Sequence, residues 1–303
     1  SDSDFSSSST LIGDVDASTT EGLARAKVDL DSTGVEGIKM SIGGVNDFSS
    51  ISSVTANSNA SNVGAKGSDS TGDLDSSALT GAWIHSASDS DVSGIATIDG
   101  GISASSTAEA AAAEGDFDAD GITDLQIGVG GILDLAGQAQ VNGDVSASSV
   151  SGPADAASGA DADYSDGPIN VITSDDSTIS GLDTVHIDVA SDATVLGTAV
   201  GSFTTSAEST EADATAEAVQ VVTGINDLNI SVGGVGSIAA IAQDSNFVEA
   251  SSVTGNASAT ASVDAIGLNG GEISISSDAV LTSSVTVDSA ADSSTVGPIT
   301  AAV

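Results

Sequence analysis

The sequence predicts an all-β protein: an elongated, tandem-repeat β structure that is β-solenoid-like, with a row of β-sandwich domains as the alternative. Three observations carry this expectation. Val, Ile, Ala and Leu supply the apolar content, and Gly, Ser and Asp punctuate it, a mixture that favours strands and turns. Lys, Arg, Glu, Gln and Met are nearly absent, so few exposed helical faces can be built. The chain also repeats itself, which is the mark of a stacked architecture.

The repeat is read from three segments, GITDLQIGVGGI at Gly121–Ile132, GINDLNISVGGV at Gly224–Val235 and GVEGIKMSIGGV at Gly34–Val45. Their starts are 87 and 103 residues apart. One continuous array of three degenerate repeats follows, at 10–105, 106–193 and 194–303. A second relation lies inside the first. A shift of 60 lays Ile127 on Ile187, Val129 on Val189, Leu135 on Val195 and Gly137 on Gly197. The same shift is expected to relate Gly34 to Gly94 and Gly224 to Ser284.

Strands are expected where apolar residues alternate: Leu125, Ile127 and Val129; Leu228, Ile230 and Val232; Ile38, Met40 and Ile42. The pairs Gly43-Gly44, Gly130-Gly131 and Gly233-Gly234 mark a shared sharp turn or bulge. Alternating Ala257, Ala259 and Ala261 make a strand face that buries little area per residue. Such a face requires close sheet-to-sheet approach and many strands.

The chain has 303 residues and a formal charge of −40, with only Arg25, Lys27, Lys39 and Lys66 basic. A polyanion cannot neutralise phosphates, so nucleic acid is excluded as a partner. An anionic membrane surface is disfavoured on the same grounds, and no apolar stretch is long enough for insertion into a bilayer. Divalent cations are the expected charge partners. There is no cysteine, and no basic or apolar leader opens the chain, which reads as a mature or excised sequence. The Ser/Thr/Asp-rich, Lys-poor composition resembles that of secreted bacterial β-repeat proteins of the adhesin and extracellular-matrix filament type. That resemblance implies an extracellular or cell-surface location.

The termini suggest self-assembly. Thr10–Thr20 resembles Thr194–Thr205, and Ser293–Val303 is read as the same part of the repeat. The chain is therefore expected to end where it begins, so that one copy continues the next by head-to-tail strand pairing into a homopolymer. Val296–Val303 is the expected donated strand.

The sharpest chemical motif is GDFDADGITDL at Gly115–Leu125. Asp116, Asp118, Asp120 and Asp124 follow D-x-D-x-D-G-x-x-D, which resembles calcium loops of the EF-hand, dockerin and FG-GAP type. Calcium is the cofactor expected there. The internal repeat aligns these positions with Asp29, Asp31, Thr33 and Gly37, and with Val219, Val221, Thr223 and Asp227. Positions that accept Val read as a strand face. Ile127 also stands where an EF-hand places its last carboxylate.

No enzyme site is expected. His85 and His186 do not align in the repeat, and no G-x-S-x-G elbow occurs. Trp83 and Tyr164 are the only large polar aromatics, too few for a row of sugar platforms. Asn59, Asn229 and Asn256 open sequons, with Asn229 in an expected strand. The function expected is that of a structural subunit of an extracellular filament or biofilm matrix. The alternative is a stalk segment of a calcium-dependent adhesin or surface-layer protein.

Overall fold

The computed structural model describes residues 2–158, 177–295 and 299–302. The chain alternates between two sheets, and every described strand pair is parallel. Sheet A holds β1 (Ser3–Thr19), β4 (Asn46–Asn62), β7 (Ser90–Ser106), β9 (Leu133–Ser149), β12 (Ala193–Ser209), β14 (Gly236–Ser252) and β16 (Ala279–Thr295), in chain order. Sheet B holds β2 (Ala24–Glu36), β5 (Ser68–Thr80), β8 (Ala111–Val129), β10 (Ala154–Ser158), β11 (Ser177–Val189), β13 (Ala214–Val232), β15 (Ala257–Ile275) and β17 (Ile299–Ala302). The short β3 (Lys39–Ile42) and β6 (Trp83–Ser86) continue β2 and β5 beyond a bend. No described residue is helical, and no helix long and apolar enough to cross a membrane is present among them. The β-sandwich alternative pairs its strands antiparallel, and the described strands do not.

Each circuit of the chain adds one strand to each sheet. Ser3 pairs with Asn46 and Asn46 with Ser90, so equivalent residues lie 43 or 44 apart. Across the fourth circuit the offset is 60, with Ile187 of that circuit on Ile127 of the third and Ala193 of the fifth on Leu133 of the fourth. The additional residues fall between β10 and β11, outside the described residues, and Tyr164 lies among them. The sequence spacings of 87 and 103 are therefore each two circuits, the second containing the longer one. The shift of 60 is local to that place. Gly34 lies in the same ladder as Ala78, not Gly94, and Gly224 as Gly267, not Ser284.

The doubled period has a cause in the corners that lead from sheet B back to sheet A. Gly-Gly corners at Gly130-Gly131 and Gly233-Gly234 alternate with Asp-bearing corners at Ala87-Ser88-Asp89 and Ala190-Ser191-Asp192. The Asp89 carboxylate accepts from Ile132 N at 2.9 Å, and that of Asp192 from Val235 N at 2.8 Å. A Cβ on Gly131 or Gly234 would strike that same carboxylate. An aspartate in one circuit thus requires glycine in the next.

The interior divides in two. Beside the turn from sheet A to sheet B lies a small-residue core of Ala and Ser with Phe117 and Phe203, whose ring centroids are 6.1 Å apart. Serines here are buried and bonded across the interior: Ser52 Oγ donates to Ser32 Oγ at 2.9 Å, and Ser76 Oγ to Ser52 Oγ at 3.0 Å. Beside the Gly-Gly corners lies a Leu/Ile/Val core that includes Leu125, Leu135, Leu182 and Ile225. Between the two runs a waist of glycines. Gly94, Gly137 and Gly197 of sheet A face Gly121, Gly181 and Gly224 of sheet B, backbone against backbone. The sheets there approach more closely than the usual ~10 Å, because no Cβ separates them.

Just past the waist, sheet B bends at a ladder of left-handed residues: Gly37, Gly81, Asp124, Thr184, Asp227 and Gly270. The first two and the last are glycine, which adopts this conformation freely; Asp tolerates it and Thr is strained. The bend restores the in-out alternation after the waist, where Gly121 and Ile122 are buried consecutively.

The segments expected to share a repeat phase do not. Thr10 lies in one ladder with Ser53, Thr97, Gln140 and Val200, not with Thr194. Alternating Thr, Val, Gly and Ser look alike anywhere along these strands. Of the expected donated segment Val296–Val303, only Ile299–Ala302 is described; it pairs with Ala257–Thr260 of the same chain.

Candidate cation ladder

Asp116, Asp118 and Asp120 occupy alternate positions on the outward face of β8. Along a straight strand these side chains stand ~6.8 Å apart and point the same way. They do not wrap one ion as a calcium loop does. Asp124 is not with them: it sits at φ 52 in the bend itself and lines a separate recess. The single four-ligand loop expected from the sequence is replaced by a ladder running across the circuits. Asp73 and Asp75 of β5 pair with Asp116 and Asp118, and Asp29 and Asp31 of β2 pair with Asp73 and Asp75.

A groove of about 350 Å³ follows this ladder, lined by Asp31, Thr33, Asp75, Ser77, Asp118 and Asp120 among others. Its electrostatics are strained. Burial pushes the Asp75 carboxyl up to about 6, assisted by the charges of Asp118, Asp73, Asp31 and Asp29. Burial also pushes Asp120 up to about 7, with Asp183, Asp118 and Asp75 adding to it and a hydrogen bond from Thr123 opposing. Asp118 Oδ1 accepts from Thr178 N at 2.7 Å. In the later circuits the Asp118 column continues as Thr178, Val221 and Asp264, so the run of adjacent carboxylates is interrupted after β8. Among the described residues no three Asp, Glu or His side chains converge into a ready-made metal cage. The chemistry on offer is instead bridging: a hard cation between carboxylates of neighbouring strands lowers their mutual repulsion.

Elsewhere the fold relieves its charge with amides, since basic residues are lacking. Asn57 donates to Asp14 at 2.8 Å, Asn59 to Asp16 at 2.9 Å, Asn142 to Asp99 at 2.9 Å and Asn226 to Asp183 at 2.7 Å. Asn59 and Asn256 are exposed, and Asn229 is half-buried within β13. His85 lies outward on β6 and His186 outward on β11, two circuits apart.

Sequence reasoning missed two acidic residues that the fold buries. Asp155, in sheet B, is pushed up to about 6 by burial and by Glu217. Asp244, on the inward face of β14, is pushed up to about 6 by burial alone, and neither carboxylate oxygen has a hydrogen-bond partner. Asn246 beside it donates to Gln220, whose amide reaches Ser158 Oγ at 3.4 Å. The pleat parity of β14 places Asp244 and Asn246 inside, whereas in β10 all five residues are buried and parity does not distinguish Asp155. The chain matches no protein-family model, no curated protein and no solved structure.

Proposed function

We propose that the chain is a β-solenoid segment that serves as a structural subunit of an extracellular filament or biofilm matrix, stacking head-to-tail through parallel strand pairing. The supporting observation is the state of its outermost strands. The columns that are closed in the middle circuits open at β16, where inward-facing Leu281 is 57% exposed and Val285 48%. At the other face, Phe5 is 38% exposed and stacks on Phe48 with centroids 4.9 Å apart. Leu281 and Phe5 belong to one column. A second copy seated in register under β16 sets Phe5 on Leu281 and covers both faces.

Electron microscopy tests this reading. The seven stacked strands of sheet A at ~4.8 Å give an axial rise of ~34 Å per copy, and strands of 17 residues give a width of ~56 Å. Fibres of that rise and width are expected as concentration is raised. Discrete single-copy platelets at every concentration, with and without calcium, overturn it.

A second reading, the stalk of a calcium-dependent adhesin or surface-layer protein, is favoured by the acidic ladder. Carboxylates repeated on three successive strands suit cations that bridge circuits and stiffen the stack. Calorimetric titration with calcium is expected to give saturable heats, weakened at least tenfold by Asp75→Asn with Asp118→Asn. Equal, weak heats from both proteins would remove calcium from the account.

A further inference from the structure

The bend in sheet B creates a recess of about 560 Å³ next to the only tryptophan. Lys39, Trp83 and Gln126 stand side by side in one outward column of three neighbouring circuits. Ser41, His85 and Gly128 form the column beside it. Trp83 is 41% exposed, and its indole lies nearly parallel to the His85 imidazole, with an interplanar angle of 23° and centroids 6.1 Å apart. Gly81, Ala82 and Asp124 complete the lining of the recess.

We infer that this face is a binding subsite for a neutral polysaccharide, with one pyranose ring stacked on Trp83. The aromatic content is 2%, and the later residues of the Trp83 column are His186, Asn229 and Glu272. An indole held half in water on a polar column gains little from folding and leaves an apolar face open on which a ligand can stack. The indole face suits the C–H face of a sugar ring. Around it stand a donor in Lys39, a donor-acceptor in Gln126 and an acceptor in Asp124, which is the mixture that ring hydroxyls require. Arg25 and Lys27 lie 3.6 and 3.8 Å from Asp69 and Asp29, whereas Lys39 makes no ion pair among the described residues. The recess volume lies within the range of about 300–1,000 Å³ usual for small-ligand sites.

The platform is rigid. Trp83 N donates to Ile38 O at 2.8 Å and Gln126 N to Ala82 O at 2.8 Å, and Ile84 on the reverse face is buried. A rigid face loses little freedom when it binds. The net charge of −40 selects a neutral chain over an acidic one, because a polyanion is repelled. The site adds glycan retention to a structural role and does not depend on filament formation.

The single tryptophan makes the test direct. The purified chain is titrated with soluble β-glucan, galactan and dextran while indole emission is followed, and is run through gels containing each polymer. At least one neutral polymer is expected to shift the emission to the blue saturably and to retard the protein. Trp83→Ala weakens retention at least tenfold and Lys39→Ala does so severalfold, with unchanged circular dichroism. Polygalacturonate is expected to have no effect. The proposal is overturned if none of the neutral polymers shifts the emission, if polygalacturonate binds as well, or if Trp83→Ala is retained like the parent. Microscopy of the fibres involves no glycan, so the two readings fail separately.

Discussion

Gly121→Val is expected to cost more than about 4 kcal/mol and to leave the chain largely unfolded at 37 °C, although Val is among the best strand residues. At the waist a Cβ on Gly121 would lie 2.5 Å from Gln138 N and 2.5 Å from Gly181 O. Both are backbone atoms of paired strands, so neither can rotate away. Relief requires the sheets to part, and parting them loosens the small-residue core on one side and the Leu/Ile/Val core on the other. Ordinary overpacking costs about 1–3 kcal/mol because side chains give way; here none is available to do so. Gly43→Ala is the matched control, since a Cβ there meets nothing within 4 Å and its effect is expected within about 0.5 kcal/mol. Urea denaturation followed by circular dichroism measures both. A Gly121→Val midpoint close to that of Gly43→Ala would show that the waist is not a close contact.

The same glycines show how much of the fold was legible beforehand. All-β class, strand positions and repetition follow from composition and alternation, and the pairing of Ile127 with Ile187 is the one the sequence shift implies. The single-circuit period is hidden for a physical reason. In the columns beside the turn from sheet A to sheet B any small residue serves: Ala24, Ser68, Ala111, Ala154, Ala214 and Ala257 are equivalent. Only the waist and the corners demand particular chemistry, and the Gly-Gly and Asp corners alternate, so the visible period is doubled. The candidate site was legible in part. Asp116, Asp118 and Asp120 do share a face, but their partners come from other circuits. That neighbourhood depends on the 43–44-residue register, which the doubled period conceals. Trp83 is the only tryptophan in the sequence, but its column neighbours Lys39 and Gln126 lie 44 and 43 residues away and are brought beside it only by the same register.

Stability is expected to rise as the solution is made mildly acidic, and Asp244 gives the cleanest measure of it. The carboxyls of Asp75, Asp120, Asp155 and Asp244 are all pushed up from 3.8 to about 6 or 7. A carboxyl raised in the folded state holds its proton there and loses it in the unfolded chain. The unfolded state therefore binds fewer protons between pH 4 and 6, and stability falls as pH rises through that window. The melting temperature at pH 5 is expected to exceed that at pH 8. The parent alone does not isolate the cause, because self-repulsion of a chain at −40 has the same sign. Asp244→Val separates the two. Asp244 is 3% exposed, packs between Gly201 and Val287 on the neighbouring strands, and is raised by burial alone. Raising a carboxyl from 3.8 to about 6 costs at most about 3 kcal/mol at high pH, and relaxation of the surroundings around the charge reduces this to about 2 kcal/mol. Valine, already present in this column at Val141 and Val287, removes the buried charge and leaves the column apolar. The variant is expected to gain about 2 kcal/mol at pH 8 and almost nothing at pH 4, where the parent carboxyl is already neutral. A loss of stability at pH 8, or an equal gain at both pH values, would mean that Asp244 is not a desolvated carboxyl, and the slope would then belong to the surface charge.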